Sequence, residues 1–226
     1  MNQIKQPIKF LTDYRGLQFL LFSVFLLLFV IFPVSGNGQF GTIFANLFFV
    51  TVLIFGLLSI DLAAKIKKYL FVLVSAAILT SILGEIYDSQ YLILILLVVR
   101  LIYLWILVTL IFIKVFKTED ISFKYRITGS ITIYLLLGFI WANFYYIFYK
   151  LNPGSFKFSI PLNNADNIMF NFIYFSFETL TTLGLGDILP VLPVIKLLVI
   201  LEGLTGPLYL AILIGRMISV QSAAKK

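Results

Sequence analysis

Neither cysteine nor histidine occurs among the 226 residues of this chain. Without cysteine there is no disulfide, thiolate metal site or redox switch to consider. Without histidine the commonest metal ligand, the commonest general base and the usual physiological pH sensor are missing too. Ser-His and Cys-His catalysis are therefore excluded. An intramembrane enzyme would need paired aspartates or a Ser-Lys dyad, and no such pair stands out. Charge is also scarce: 12% of the residues are charged and 61% are hydrophobic. Together with a mean hydropathy of +1.06, this excludes a soluble domain and implies an all-α, multi-span membrane protein. The aromatic content of 17%, chiefly Phe, suits lipid-facing helices. No internal repeat is evident.

What is present is a series of apolar runs separated by turn and charge signals. Spans are expected at residues 16–32, 42–60, 69–86, 91–116, 127–149 and 192–220. The Pro33-Val34-Ser35-Gly36-Asn37-Gly38 turn ends the first. Charged residues fill 61–68, Tyr87-Asp88-Ser89-Gln90 is a tight connection, and Asn152-Pro153-Gly154 opens an irregular loop to 167. Residues 1–15 are basic, and Pro7 and Asp13 argue against a long helix there. No small-residue cleavage site follows the first run convincingly, so it is expected to stay in the membrane.

The net charge of +7 is a topology signal rather than a nucleic-acid patch. Lys5, Lys9, Arg15, Lys65, Lys67, Lys68, Lys114, Lys117, Lys124, Arg126, Arg216, Lys225 and Lys226 fall on one side of the expected spans. Only Lys150, Lys157 and Lys196 fall on the other, and Arg100 is left inside the bilayer. The positive-inside rule then puts both termini in the cytoplasm of a cell-membrane protein. It also gives the basic side a possible contact with anionic lipid.

One run does not fit the span pattern. Residues 168–180 are apolar enough to be helical in a membrane. At about 1.5 Å per residue they reach only about 20 Å, short of the roughly 30 Å hydrocarbon core. Backbone that leaves a helix halfway across must be buried in protein or line a watery path. It continues as Thr181-Thr182-Leu183-Gly184-Leu185-Gly186-Asp187. Gly184 and Gly186 suit a backbone that visits positive φ at every second position. Such alternation points successive carbonyls toward one axis, where they can replace the water shell of a dehydrated cation. Gly-x-Gly-Asp alone reads as a turn. The half-length helix, the threonine pair and the full-length helix that follows make it more than that.

Thr181 to Asp187 resembles the signature filter of potassium channels, Thr-Thr-Val-Gly-Tyr-Gly-Asp, with Leu183 and Leu185 replacing Val and Tyr. Glu178-Thr179 sits where many such channels also carry Glu-Thr, and Gly206 sits at the family's hinge position. The resemblance covers about 127–219. It implies a re-entrant pore helix and a filter at the extracellular mouth, consistent with the orientation from loop charges. With one filter copy per chain, the four-fold arrangement of the family implies a homotetramer.

The resemblance also assigns roles. Permeant potassium would be held at Thr182, Leu183, Gly184 and Leu185, with Gly186 completing the filter and no resident cofactor. The leucine side chains would pack behind it. Thr181, Glu178 and Asp187 would support it, the two carboxyls sharing a proton; alternatively, Asp187 is a solvated mouth charge. Leu185 lacks the hydroxyl that ties Tyr to the pore helix in many relatives, which keeps a weakly selective cation channel as an alternative. A transporter subunit is a third reading, disfavoured by the single repeat and the two glycines.

Two intramembrane charges and a kink complete the reading. Gly206-Pro207 offers a hinge in the last span, since Pro207 removes a helical hydrogen bond. Glu202 lies one turn earlier and either faces the cavity or bonds the base of the pore helix. Residues 1–126 have the four-helix layout of a voltage sensor, with 127–226 as the pore domain. The register Leu97, Arg100, Tyr103, Ile106 carries one cation where sensing needs several. Arg100 is therefore expected to pair with an acid such as Glu85 or to snorkel, and the channel is expected not to be voltage-gated. The chain ends at Lys226, just past the last span, so no cytoplasmic ligand-binding ring is expected.

Overall fold

The computed structural model describes residues 5–31, 49–58, 64–87, 90–117, 122–159 and 168–223. Helix α1 (Lys5–Leu26) begins well before the expected start and runs on into a π turn, Leu27–Ile31. Pro7 is tolerated because it stands in the first turn, where its missing N–H has no intrahelical partner to lose. Helices α2 (Phe49–Leu58), α3 (Ala64–Tyr87) and α4 (Gln90–Lys117) follow. Lys65, Lys67 and Lys68, expected in a loop, form the first turns of α3 instead. The turn expected at 33–38 lies outside the described residues.

Helix α5 (Phe123–Leu151) has chemical reasons for both ends. Ser122 caps its start, its hydroxyl oxygen accepting the Tyr125 N–H at 3.3 Å. Pro153 ends it, because the residue before a proline is pushed out of helical geometry. Asn152 is accordingly extended, with φ −147° and ψ 100°. The expected domain boundary after 126 falls inside this helix.

The expected irregular loop is partly ordered. A 3₁₀ turn (Pro153–Ser155) leads into strand β1 (Phe156–Phe158), and helix α6 (Ile168–Leu180) has the expected bounds. Strand β2 (Ile188–Pro190) pairs antiparallel with β1, matching Phe156 to Pro190 and Phe158 to Ile188. Helix α7 (Pro193–Ala223) opens on a proline, a favoured first residue.

Among the described residues three helices are long and apolar enough to cross a membrane: Gln90–Phe116, Phe123–Leu151 and Pro193–Ser219. Gly16–Val30 and Phe49–Leu58 are shorter apolar helices. This is a helical membrane protein.

Helix α5 organises the packing, with α1 and α4 against it and α6 and α7 also contacting it. Close approach to α4 needs Gly129, where a Cβ would stand 2.5 Å from the Val115 side chain. Arg126 then donates to the Val115 carbonyl at 2.6 Å. Phe49 of α2 meets Phe139 of α5 edge to face. Burial differs sharply between the two long C-terminal helices: 56% of the apolar window of α5 is buried, against 11% of that of α7. One chain alone leaves α7 largely uncovered.

Candidate functional site

Everything placed at the site follows from how α6 ends. A helix leaves its last four carbonyls without intrahelical partners. Here the following segment satisfies most of them. Thr181 N–H donates to the Phe177 carbonyl at 3.0 Å, and Thr182 N–H to that of Thr179 at 2.9 Å. Leu183 and Gly184 N–H groups both turn back to the Glu178 carbonyl, at 2.8 and 3.3 Å. Tyr134 of α5 donates to the Leu180 carbonyl at 3.3 Å. The amides of 181–184 are therefore spent on α6.

The course of the segment is set by backbone hand. Thr182, Gly184 and Gly186 have φ of 59°, 58° and 78°, the three positive values among the described residues. Alternating left- and right-handed residues aim successive carbonyls to one side instead of to opposite sides. The glycines were expected to do this. Thr182 was not, because a β-branched residue at positive φ is a genuine outlier, costing of the order of 1–3 kcal/mol. Residues 181–186 are all exposed. Leu183 and Leu185 are 64% and 59% exposed; the chain's own helices do not cover them.

Two supports hold the far end of the segment. Ser159 N–H donates to the Asp187 carbonyl at 2.8 Å, and Val191 N–H to that of Ser155 at 2.9 Å. The β1–β2 ribbon thus clamps the chain just after Gly186. Behind the segment, Glu178 and Asp187 lie near each other, and Glu178 Oε2 and Asp187 Oδ1 are each buried without a hydrogen-bond partner among the described residues. Tyr174 of α6 and the Leu185 backbone lie close enough to influence this pair. Tyr174 lies one turn before Glu178, and that i, i+4 spacing was the available sequence signal. Thr181 turns its hydroxyl back to the Phe177 carbonyl at 2.6 Å.

Glu202 does not face outward from α7. It is fully buried, and its two oxygens meet Tyr145 of α5 and Ser176 of α6, each at 2.5 Å. Its partner on α6, Ser176, lies in the C-terminal half of the short helix. Gly206 also serves contact: a Cβ there would stand 1.9 Å from the Leu180 carbonyl oxygen. Helix α7 runs through Gly206 and Pro207 without interruption.

Arg100 is buried, with its guanidinium over the Phe49 ring at 4.7 Å. Glu85, its expected acid partner, has a side chain outside the described residues. Arg100 therefore stands in the α2–α4 packing, apart from the 181–187 segment.

Residues 131–222 match the family model described as ion channel. No curated protein matches the chain. The matched range contains most of α5, all of α6, the carbonyl-bearing segment and nearly all of α7. It supports a passive ion channel of the membrane, assembled from several chains.

Proposed function

We propose that the chain is the subunit of a homotetrameric, potassium-selective channel in the cell membrane. It has six spans, cytoplasmic termini and no voltage gate. Residues 127–226 form the pore and 1–126 a four-helix domain contacting lipid. Thr182 to Gly186 are the filter, with potassium held at Thr182, Leu183, Gly184 and Leu185. The observation that carries this reading is the positive φ at Thr182, Gly184 and Gly186, with the amides of 181–184 tied back to α6. A strained threonine persists only where its surroundings over-determine it, and such outliers cluster at functional sites. The end of α6, near mid-membrane, adds the negative pole of a helix dipole.

Leu185 favours the second reading, a weakly selective cation channel. Its side chain has no hydroxyl with which to brace the filter, and it is exposed within one chain. Proteoliposomes loaded with potassium and diluted into sodium separate the possibilities. Potassium channels drive dye quenching when a proton ionophore is added, and Gly184→Ala abolishes it. Equal flux with sodium inside supports the weakly selective pore. No flux above empty vesicles contradicts both.

A further inference from the structure

Among the residues of α7 from Pro193 to Tyr209, the buried ones are Ile195, Glu202 and Gly206. These lie on one stripe, by which the helix seats against the rest of its chain. The central member is a carboxyl group at membrane depth, where an unpaired charge is expensive. Three elements meet on it. Tyr145 of α5 bonds Oε2 and Ser176 of α6 bonds Oε1, both at 2.5 Å. Ser176 Oγ is also 2.8 Å from the Gly138 carbonyl oxygen of α5. Ser176 and Tyr145 are fully buried.

Counting protons decides which form of Glu202 fits. A serine hydroxyl has one hydrogen, yet Ser176 Oγ makes two short contacts to oxygens that would both be acceptors beside an ionised Glu202. With Glu202 charged, one of those contacts has no hydrogen in it. With Glu202 neutral and its proton on Oε1, every contact is filled. Tyr145 donates to Oε2, Glu202 donates to Ser176 Oγ, and Ser176 donates to the Gly138 carbonyl. The other titratable group on α5 that senses Glu202 is Tyr134, which donates to the Leu180 carbonyl.

We propose that Glu202 is a positioning residue of the pore. As a neutral acid it supplies the hydrogen bond that ties α7 to Ser176 of α6. Ser176 lies two residues before Glu178, whose carbonyl holds the Leu183 and Gly184 amides. The tie therefore fixes the depth of the proposed filter relative to α7. The channel role of the tie rests on the potassium-channel reading; the proton assignment does not.

The test uses the full-length protein and three variants. In Glu202→Gln, the amide NH₂ donates to Ser176 and the amide oxygen accepts from Tyr145, as the neutral acid does. It should keep the wild-type reversal potential, single-channel conductance and thermal midpoint in detergent. Glu202→Leu fills similar space without hydrogen bonds and leaves two buried hydroxyls short of a partner. It should lower open probability or conductance by about tenfold and lower the midpoint. Ser176→Ala should move both readouts in the same sense. Glu202→Gln as defective as Glu202→Leu overturns the proposal, because charge would then be the working property. Glu202→Leu indistinguishable from wild type overturns it as well.

Infrared difference spectra of purified wild type against Glu202→Gln supply a readout independent of conduction. Loss of a protonated-carboxyl band is expected; loss of a carboxylate band instead contradicts the assignment. If wild type passes no ions, the channel reading falls. The infrared and thermal comparisons then still decide whether Glu202 is the neutral tie.

Discussion

Gly206 shows how a residue chosen for one reason can be needed for another. The sequence suggests a hinge, whereas the structure shows a near-contact with the Leu180 carbonyl. Gly206→Ala must therefore move backbone, at a cost of about 1–3 kcal/mol, as for other overpacked sites. Gly215, on the same helix, has nothing within 4 Å of its ideal Cβ. Gly215→Ala should stabilise the helix by about 0.5–1 kcal/mol through propensity alone. Thermal midpoints in detergent compare the two, and equal shifts would refute the packing account. Tyr174 makes a second prediction at this scale. It lies beside Glu178 and Asp187, so Tyr174→Phe and Glu178→Ala should alter current decay in the same direction. Unchanged decay in both variants contradicts a bracing role for this cluster.

Among the elements, α6 has to be held at both ends. Its C-terminal end is held by the returning amides, its middle by Ser176 and Glu202. Its N-terminal half is held by aromatic packing under the β1–β2 ribbon. Phe172 is fully buried and meets the rings of Tyr146, Tyr149, Phe156 and Phe158 at centroid distances of 5.9, 5.4, 4.9 and 6.0 Å. Phe172→Ala should destabilise the fold by about 3–5 kcal/mol, read as an earlier unfolding transition on titration with denaturing detergent. A loss below about 1 kcal/mol would mean that the cluster collapses to fill the gap.

The bounds of α6 were legible in the sequence because a half-length apolar run between full-length ones has few ways to sit in a membrane. The glycine alternation was legible for the same kind of reason. The Tyr145–Glu202 bond was not, since 57 residues separate the partners and no local spacing reports such a pair. Nor was the left-handed Thr182, which its neighbours impose against its own preference. The ribbon had only the short alternation Phe156-Lys157-Phe158 to announce it.

At the scale of the molecule, the fact that matters is how little of α7 its own chain covers. Leu197, Ile200, Leu204, Leu208 and Ile212 are each more than half exposed. The 181–186 segment is exposed as well. Both surfaces find partners if four copies bring their segments to a common axis. The purified protein in mild detergent should then have four times the 25.7 kDa chain mass, measured by light scattering with detergent subtracted. A monomer or dimer that still conducts would remove the four-fold axis from the account.

The proposed channel must select potassium with the backbone of 182–186 alone, without the filter tyrosine. Planar-bilayer recording of the purified protein, with potassium on one side and sodium on the other, measures this directly. A reversal potential far from zero, on the potassium-selective side and unmoved by exchanging the anion, is the predicted result. Reversal near zero would show that potassium and sodium pass alike and would contradict it.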